Sequence, residues 1–221
     1  MENLKLTSEP IFYKKKNRRP LSNKQKELLN FSLNKFLLKK EILQKKNIFL
    51  EIGFGYGENL INLAKNNLDK IILGCEIYEP GIANLVNKLD KKKLKNIFIY
   101  PKNIFTLFKK IKKNSVEKVF LLFPDPWPKK RHYKRRLISK LLLKEIFKVL
   151  KKDGLFYIST DSESYLDSIL KEFLFNYNFL WMNKTLKDCQ KRSKILIESK
   201  YEKKAKIKGN KNFFLKFKKI C

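Results

Sequence analysis

From Ile48 onward, short apolar runs alternate with longer stretches in which apolar residues recur at helical spacing. The apolar runs predict β-strands at Ile48–Ile52, Ile71–Ile77, Ile97–Tyr100, Val119–Phe123 and Phe156–Thr160. The stretches between them predict helices near Asn59–Lys65, Gly81–Leu89, Ile104–Ile111 and Ile138–Leu150. Because strands that alternate with helices form parallel sheets, the pattern indicates an α/β fold with a doubly wound sheet and helices on both faces.

Both ends of this pattern add further elements. A helix from Glu163 to about Phe175 is followed by apolar runs near Phe179–Met182 and Phe213–Phe217. These two runs predict a terminal antiparallel hairpin, and hence a seven-stranded, mostly parallel sheet. Before the sheet, Ser22 precedes apolar residues at near-helical spacing over Leu28–Leu38, which predicts a first helix packed on the domain.

Length and composition favour one domain. A chain of 221 residues with 43% hydrophobic content can bury a single sizeable core. Residues 1–21 have little apolar content and include the basic run KKKNRRP at 14–20. We therefore predict a flexible basic arm over 1–21, followed by one domain over 22–221.

The charge balance indicates a polyanionic partner. Lysine and arginine number 52 against 21 aspartates and glutamates, a formal net charge of +31, which favours nucleic-acid binding. No apolar run approaches the roughly 18 residues of a membrane span, and the N-terminus lacks a signal-peptide core, so a cytoplasmic protein without membrane contact is expected. The three cysteines form no CxxC pair, so neither a disulfide framework nor a metal site is expected.

A cluster of glycines follows the first strand of the sheet. Gly53, Gly55 and Gly57 are three of only seven glycines in the chain. A tight strand-to-helix turn needs residues without a Cβ, both to reach unusual φ angles and to let a ligand approach the backbone. The GxGxG spacing differs from the dinucleotide GxGxxG, and no Walker-type lysine is present.

Two acids flank this turn. Glu76, at the end of the second strand, is placed to accept hydrogen bonds from the ribose hydroxyls of an adenosine-containing ligand. Glu51, one position before the turn, is placed to face the positively charged methionine portion of S-adenosylmethionine. The alternative is that Glu51 satisfies loop amides and Glu76 is solvated.

The segment FPDPWPKKRHYKRR, from Phe123 to Arg136, combines a fixed acid with a basic loop. Pro124 and Pro126 restrict the backbone around Asp125, which predicts a stiff turn at a strand end. The cations that follow are expected to contact phosphates, although a charge run alone is more often a solvated face. They are Lys129, Lys130, Arg131, Arg135 and Arg136.

These segments carry a family resemblance. IFLEIGFGYG, GCEIYEPG, FPDPWPKKRHYKRRL, STDSESY and ESKYEKKAKIKG, in this order, resemble the bacterial tRNA (guanine-N7)-methyltransferase family. The resemblance covers nearly the whole chain, and FPDPWPKKRH is highly specific. It implies a Rossmann-like class I methyltransferase fold, S-adenosylmethionine as methyl donor, and methylation of the variable-loop guanosine of tRNA. We expect no metal, a monomer or homodimer, and no obligate protein partner.

The resemblance also implies roles for individual residues. Its cofactor contacts fall on Glu51, Glu76, Asn103 and Asp125, and the glycine turn is already predicted to lie against the cofactor. Its tRNA contacts fall on Lys129, Asp161, Ser199, Lys200, Tyr201 and Glu202. Three positions depart from the family pattern: Asn103 replaces a usual aspartate, Ser199 a usual threonine, and Tyr133 a more usual histidine. An amide oxygen at Asn103 can still accept from the adenine amino group, without charge assistance.

Several of these residues have a structural alternative. Asp161 precedes a helix and fits an N-cap, and Ser199 with Glu202 has the spacing of a capping box. Trp127 could stack a guanine or pack the loop, and His132, with no partner at metal or nucleophile spacing, is interpreted as part of the phosphate loop.

Guanine N7 carries a lone pair and no proton, so its methylation needs positioning and charge stabilisation rather than a general base. Asp125 is the candidate that stabilises the purine cation as it forms, while Asp161 and Glu202 could read the guanine edge. Two other functions stay open. The PDPW turn also resembles that of exocyclic-amino methyltransferases, and the charge alone would suit a non-catalytic RNA-binding protein.

Overall fold

The computed structural model describes residues 20–92 and 94–220, with the backbone alone for Tyr201. The predicted arm falls outside this range except for Pro20 and Leu21. The strands are β1 Ile48–Ile52, β2 Ile71–Cys75, β3 Ile97–Tyr100, β4 Val116–Leu122, β5 Leu150–Thr160, β6 Phe179–Trp181 and β7 Phe213–Lys219. The α-helices are α1 Asn23–Glu27, α2 Lys40–Leu43, α3 Glu58–Asn66, α4 Glu79–Asp90, α5 Ile104–Phe108, α6 Lys140–Val149, α7 Glu163–Leu174, α8 Leu186–Cys189 and α9 Lys200–Ile207.

The seven strands form one sheet in the order β3-β2-β1-β4-β5-β7-β6. Strands β1 to β5 pair in parallel, whereas β7 runs antiparallel to both β5 and β6. The predicted mostly parallel sheet with a terminal antiparallel hairpin is confirmed. Because the strand order reverses at β1, the carboxyl ends of β1, β2 and β4 create the crevice where ligands bind in open α/β sheets.

Two apolar layers cover the sheet. On one face, Phe49 and Phe120 pack with α3, α4 and the N-terminal helical segment. On the other face, Ile48 and Leu50 pack with α5, α6 and α7. Alternate residues of β1 thus point to opposite layers, as expected for a strand buried on both faces. No helix among the described residues has the length and apolar content that crossing a membrane requires.

The N-terminal segment is helical, as predicted, but it is not one regular helix. Ser22 caps α1 through a capping box, and the chain continues as a π-helical turn over Leu28–Ser32 and a 3₁₀ turn over Leu33–Phe36. Leu33 is buried against the layer of α3 and α4, whereas Phe31 is 73% exposed. Leu38 then donates its N–H to the carbonyl of Ile99, which fastens the segment to β3.

Five of the seven strands differ from the prediction at one or both ends, and the differences in β2 and β5 are the most informative. Strand β2 ends at Cys75, because the carboxylate of Glu76 bonds the N–H groups of Ile77 and Tyr78 and bends the chain. Strand β5 begins at Leu150, directly after α6, and its pairing with β4 is irregular before Leu155. The irregular stretch contains Lys151, Lys152 and Asp153, which the prediction left outside the strand.

Candidate active site

The glycines shape the turn between β1 and α3. Gly53, Gly55 and Gly57 have φ angles of 71°, 56° and 72°, a region that residues with a Cβ rarely adopt. A Cβ on Gly57 would also lie 2.6 Å from Cδ1 of Leu85 in α4. Gly53 is exposed, and nothing lies within 4 Å of the place a Cβ would take, so a ligand can approach the backbone there.

Glu76 fastens the glycine turn to the end of β2. Its Oε2 accepts from the N–H of Gly55 at 2.8 Å, and its Oε1 accepts from the N–H groups of Ile77 and Tyr78 at 2.7 and 2.9 Å. The structural alternative had Glu51 satisfying the loop amides and Glu76 solvated. In the structure it is Glu76 that satisfies them. Since a carboxylate has about four acceptor positions, it can still accept a hydroxyl from a ligand.

Glu51 lies beneath the turn and is 3% exposed. Burial raises its pKa to about 8, against a usual 4.5, even though Nδ2 of Asn59 donates to its Oε2 at 3.1 Å. The nearby charge of Glu76 contributes to this raised pKa. Within the described residues, Oδ1 of Asn59 is buried without a hydrogen-bond partner. A positive ligand group above this pair would favour the ionised carboxylate.

A cavity of about 460 Å³ adjoins Glu76 at the ends of β2 and β3, a volume typical of small-molecule sites. Its walls are mostly apolar. The residues that line it are Leu29, Leu33, Ile77, Glu79, Ile82, Pro101 and Asn103. Oδ1 of Asn103 accepts the N–H of Phe105 at 3.0 Å and caps α5. One lone pair of that oxygen remains for a ligand, so the walls suit a flat heterocycle with an amino group.

The segment after β4 is an irregular turn, as its prolines predict. Phe123 and Trp127 have φ angles of 50° and 44°, in the left-handed region that large side chains rarely occupy. Asp125, between them, is exposed. Burial is the main cause of the raised pKa values of Glu76 and Tyr165, and the charge of Asp125 raises both further. The charge of Asp125 thus acts on the acid at the end of β2 and on a side chain of α7.

The cationic loop begins directly after this turn. Lys129, Lys130 and Arg131 are exposed, and Lys130–Arg135 form a 3₁₀ turn. The guanidinium of Arg135 lies 5.0 Å from the ring of Trp127, and the imidazole of His132 meets the same ring edge-on at 5.8 Å. Trp127 thus packs against the loop. Partial burial, with the charges of Arg135, Arg131 and Lys129, lowers the pKa of His132.

Arg136 departs from the expected phosphate contact. It is only 6% exposed, and its guanidinium donates to Pro126, Ser164 and Ser168 inside the protein. A phosphate at the surface cannot reach a group in this position without displacing those bonds. The loop therefore offers the exposed cations Lys129, Lys130 and Arg131 to a polyanion, with the half-buried Arg135 beside them, and Arg136 has a separate role.

Asp161 follows β5 directly, at the same edge of the sheet as Asp125. It is not the N-cap of α7, because Ser162 fills that position and accepts the N–H of Tyr165 at 3.4 Å. The capping alternative for Asp161 is therefore wrong. Its side chain is partly exposed, beside the crevice at the carboxyl ends of the strands.

Ser199 caps α9 by accepting the N–H of Glu202 at 3.0 Å, which is the first of the two bonds of the predicted capping box. The carboxylate of Glu202 is buried and accepts from Nη1 of Arg192 at 2.9 and 3.0 Å. Nζ of Lys200 lies 3.3 Å from Oε1 of Glu58 and 5.1 Å from the ring of Tyr56 in the glycine turn. The start of α9 is thereby brought beside the glycine turn.

Comparisons with known proteins agree with this geometry. The Methyltransf_4 family of methyltransferases matches residues 45–215. A tRNA (guanine-N(7)-)-methyltransferase of Buchnera aphidicola subsp. Baizongia pistaciae is 40% identical over 174 residues, which is 78% of this chain and 72% of that protein. The chain belongs to the tRNA (guanine-N7)-methyltransferase family. The resemblance inferred from the motifs is confirmed.

Solved structures support the fold of this methyltransferase. An rRNA methylase from Streptococcus thermophilus has a TM-score of 0.54 at 13% identity, over 87% of this chain and 96% of that one. SMU.1697c from Streptococcus mutans, described as a methyltransferase in complex with SAH, has a TM-score of 0.50 at 14% identity, over 87% of this chain and 97% of that one. The sheet and helices are therefore those of Rossmann-like methyltransferases.

Some residues that shape the methyltransferase site were not predicted from the sequence. Leu29 and Leu33 line the cavity from the N-terminal segment, and Asn59 and Arg192 hold the acids Glu51 and Glu202. Helical spacing marked the two leucines as core, but nothing local indicates which face of the sheet they cover. Asn59 and Arg192 carry no motif of their own, since their partners lie elsewhere in the chain.

Proposed function

We propose that this methyltransferase transfers a methyl group from S-adenosylmethionine to N7 of the variable-loop guanosine in tRNA. The observation that carries the proposal is the placement of Asp125. It stands in the proline-bracketed turn at the carboxyl end of β4, and β1 with its glycine turn lies between β4 and β2, at whose end Glu76 stands. A donor bound by Glu76 and a base beside Asp125 would share one crevice, as an in-line transfer requires.

The residues at the ends of β1 to β3 fit the donor. S-adenosylmethionine supplies an electrophilic methyl group on a positively charged sulfonium. We assign the ribose hydroxyls to Glu76, the adenine to the cavity with Asn103, and the positive methionine portion to Glu51. The buried, unpartnered Oδ1 of Asn59 beside Glu51 supports this fit, because it offers a further acceptor to a ligand ammonium group.

The chemistry then depends on charge. N7 of guanine attacks with its lone pair, and the purine becomes positive as the new bond forms. A fixed carboxylate stabilises this cation more than it stabilises the neutral base, and that difference lowers the barrier. Asp125 takes this role in the proposal, since the prolines on either side keep its backbone in place.

The acceptor RNA would be held mainly through phosphates. Lys129, Lys130, Arg131 and Arg135 present cations beside the Asp125 turn, and phosphate contacts of this kind supply affinity and register rather than base choice. Asp161, at the end of β5, is placed to accept from the guanine N1–H and amino group.

The start of α9 completes the proposed acceptor site. Ser199, Lys200 and Tyr201 would contact the RNA, with Lys200 poised beside the glycine turn. Glu202 contributes by holding Arg192 at the same surface, because its own carboxylate is already bonded.

The test is the identity of the product nucleoside. Unmodified tRNA is incubated with the protein and S-adenosylmethionine, digested to nucleosides and analysed by mass spectrometry. We expect 7-methylguanosine, and none from a transcript whose variable-loop guanosine is replaced by adenosine.

Two results would contradict the proposal. Methyladenosine or methylcytidine without 7-methylguanosine would indicate an exocyclic-amino methyltransferase. Tight tRNA binding with no S-adenosylmethionine binding by calorimetry would indicate a non-catalytic RNA-binding protein.

A further inference from the structure

Arg136 connects two separate parts of the site. Its Nε donates to the carbonyl of Pro126 at 2.8 Å, one residue after Asp125. Its Nη1 donates to the carbonyl of Ser164 at 2.7 Å and to the hydroxyl of Ser168, and Nη2 donates to Oγ of Ser164 at 2.9 Å. The Asp125 turn is therefore tied to the first turns of α7 through one planar guanidinium.

Two aromatic rings hold this guanidinium in place. The ring centre of Tyr133, in the 3₁₀ turn of the cationic loop, lies 3.6 Å from the guanidinium carbon. The ring of Tyr165 in α7 lies at 4.9 Å. Tyr165 is fully buried, and its hydroxyl accepts the N–H of Ile138 at 3.2 Å. The rotation of Arg136 is thereby restricted from both sides.

Charge alone does not account for this position. Burial of a cation costs desolvation energy, and the partners that Arg136 bonds are carbonyl and hydroxyl oxygens without formal charge. A cation beside the first turn of a helix is also opposed by the helix dipole. What the arginine supplies in return is geometry, because its fork of donors reaches the Pro126 carbonyl and α7 at the same time.

We propose that Arg136 is a positioning residue for methyl transfer, which fixes the Asp125 turn against α7 and does not contact tRNA. The inference rests on the proposed catalytic role of Asp125. A displacement of about 1 Å at a reacting group can cost about 10²-fold in rate. Loosening the Pro126 carbonyl should therefore lower turnover while leaving donor and tRNA affinity unchanged.

The test compares Arg136→Lys with a matched control. Lysine keeps the charge but has a single nitrogen, which cannot bond Pro126 and α7 together. The control is Lys219→Met, which removes the other buried cation of the described residues. Nζ of Lys219 bonds Asn114 and the carbonyl of Leu150, at the opposite edge of the sheet. Turnover at saturating substrates, tRNA affinity and its salt dependence are measured well below the unfolding temperature of each variant.

We expect Arg136→Lys to lower kcat about 10²-fold, with the tRNA half-saturation and salt slope of the wild type, and Lys219→Met to keep the wild-type kcat. A second variant, Ser164→Ala with Ser168→Ala, leaves Arg136 in place but removes two of its acceptors, and should lower kcat in the same direction. A normal kcat with a salt slope reduced by roughly one phosphate contact would overturn the inference. Equal losses in Arg136→Lys and Lys219→Met would overturn it too.

Asp125→Asn separates this inference from the proposed function. If Asp125→Asn keeps wild-type turnover, the proposed role of Asp125 fails, and the positioning role falls with it. If Asp125→Asn is inactive while Arg136→Lys turns over normally, only the positioning role is refuted.

Discussion

The N–H of Gly55 donates to Oε2 of Glu76 at 2.8 Å, so the backbone of the glycine turn is held by the side chain proposed to bind the donor ribose. The loop and the ligand acid are thus one hydrogen-bonded unit. A substitution of Glu76 should therefore alter the conformation of the glycine turn, and a substitution in the turn should alter the position of the Glu76 carboxylate.

Replacing Glu76 by glutamine should weaken donor binding. The amide group has one acceptor oxygen, so it cannot serve Gly55, Ile77 and a ribose as the carboxylate does. Loss of a hydrogen bond to a charged group costs about 1.5–3 kcal/mol, or roughly 10- to 100-fold in affinity. Calorimetry with S-adenosylmethionine measures this change. Asp69→Asn, at a side chain 74% exposed, is the control, and an unaltered affinity in Glu76→Gln would mean that the ribose binds elsewhere.

Glu51 should make stability depend on pH. Its pKa is about 8 in the folded protein against 4.5 ordinarily, so the folded state keeps a proton that the unfolded chain has lost. The Glu51 contribution to stability is therefore greatest below about pH 4.5 and declines as the pH rises to about 8. Urea unfolding of Glu51→Gln between pH 5 and 8 should show a smaller decline than the wild type. Parallel curves for the two proteins would contradict the raised pKa.

The same group should couple donor binding to proton release. A positive ligand beside Glu51 favours its ionised form, so binding should expel a proton and tighten as the pH rises towards 8. Calorimetry at pH 7 in buffers of different ionisation enthalpy measures the released proton. Glu51→Gln should release less, whereas equal release by both proteins would place the positive group elsewhere.

Gly57 should tolerate alanine less well than Gly209 does. Both have left-handed backbones, with φ of 72° and 73°, and a left-handed non-glycine residue costs about 1–2 kcal/mol. A Cβ on Gly57 also meets Leu85 at 2.6 Å, whereas nothing lies within 4 Å at Gly209. Overpacking adds typically 1–3 kcal/mol, so the free energy of unfolding should fall further in Gly57→Ala. Leu85→Ala should lower the free energy of unfolding less in the Gly57→Ala background than in the wild type, because it removes the clash. Equal losses at the two glycines would contradict the predicted clash.

The cationic loop should determine how salt affects tRNA binding. Alanine at Lys129, Lys130, Arg131 and Arg135 should flatten the plot of log affinity against log salt, by about 0.7–0.9 per lost phosphate contact. Filter binding at several salt concentrations measures the slope. A control with the same change in charge replaces exposed lysines at the opposite edge of the sheet, which are Lys45, Lys46, Lys112 and Lys113. If the control flattens the slope as much, net charge and not the loop governs binding.

The sequence predicted those features that depend on local chemistry. The period of apolar residues was enough for the order of the strands and of the helices between them, although not for the short helices α2 and α8. Glycines and prolines such as Gly57 and Pro126 mark turns. The position of Glu76 at a strand end followed from the same pattern. These predictions needed no knowledge of which residues meet across the fold.

Arg136 shows what the sequence could not provide. Within KKRHYKRR it has the same charge as its neighbours, and only the packing of α7 against the Asp125 turn distinguishes it from exposed Arg131. The sequence likewise predicted that Glu202 could read the guanine edge, but its carboxylate is bonded to Arg192 in the folded protein. Burial and pairing of charges depend on tertiary contacts, which the local sequence does not reveal.

The cavity beside Glu76 is built entirely from the first half of the chain, between Leu29 and Asn103. Asp125, the cationic loop and α9 come from the second half. A hybrid enzyme joined in the connection between α5 and β4 would thus inherit the proposed methyl-donor pocket from one parent and the proposed RNA-binding residues from the other. The seam would be crossed by contacts such as that of Lys200 with Tyr56, and these would have to be matched between parents for the two halves to work together.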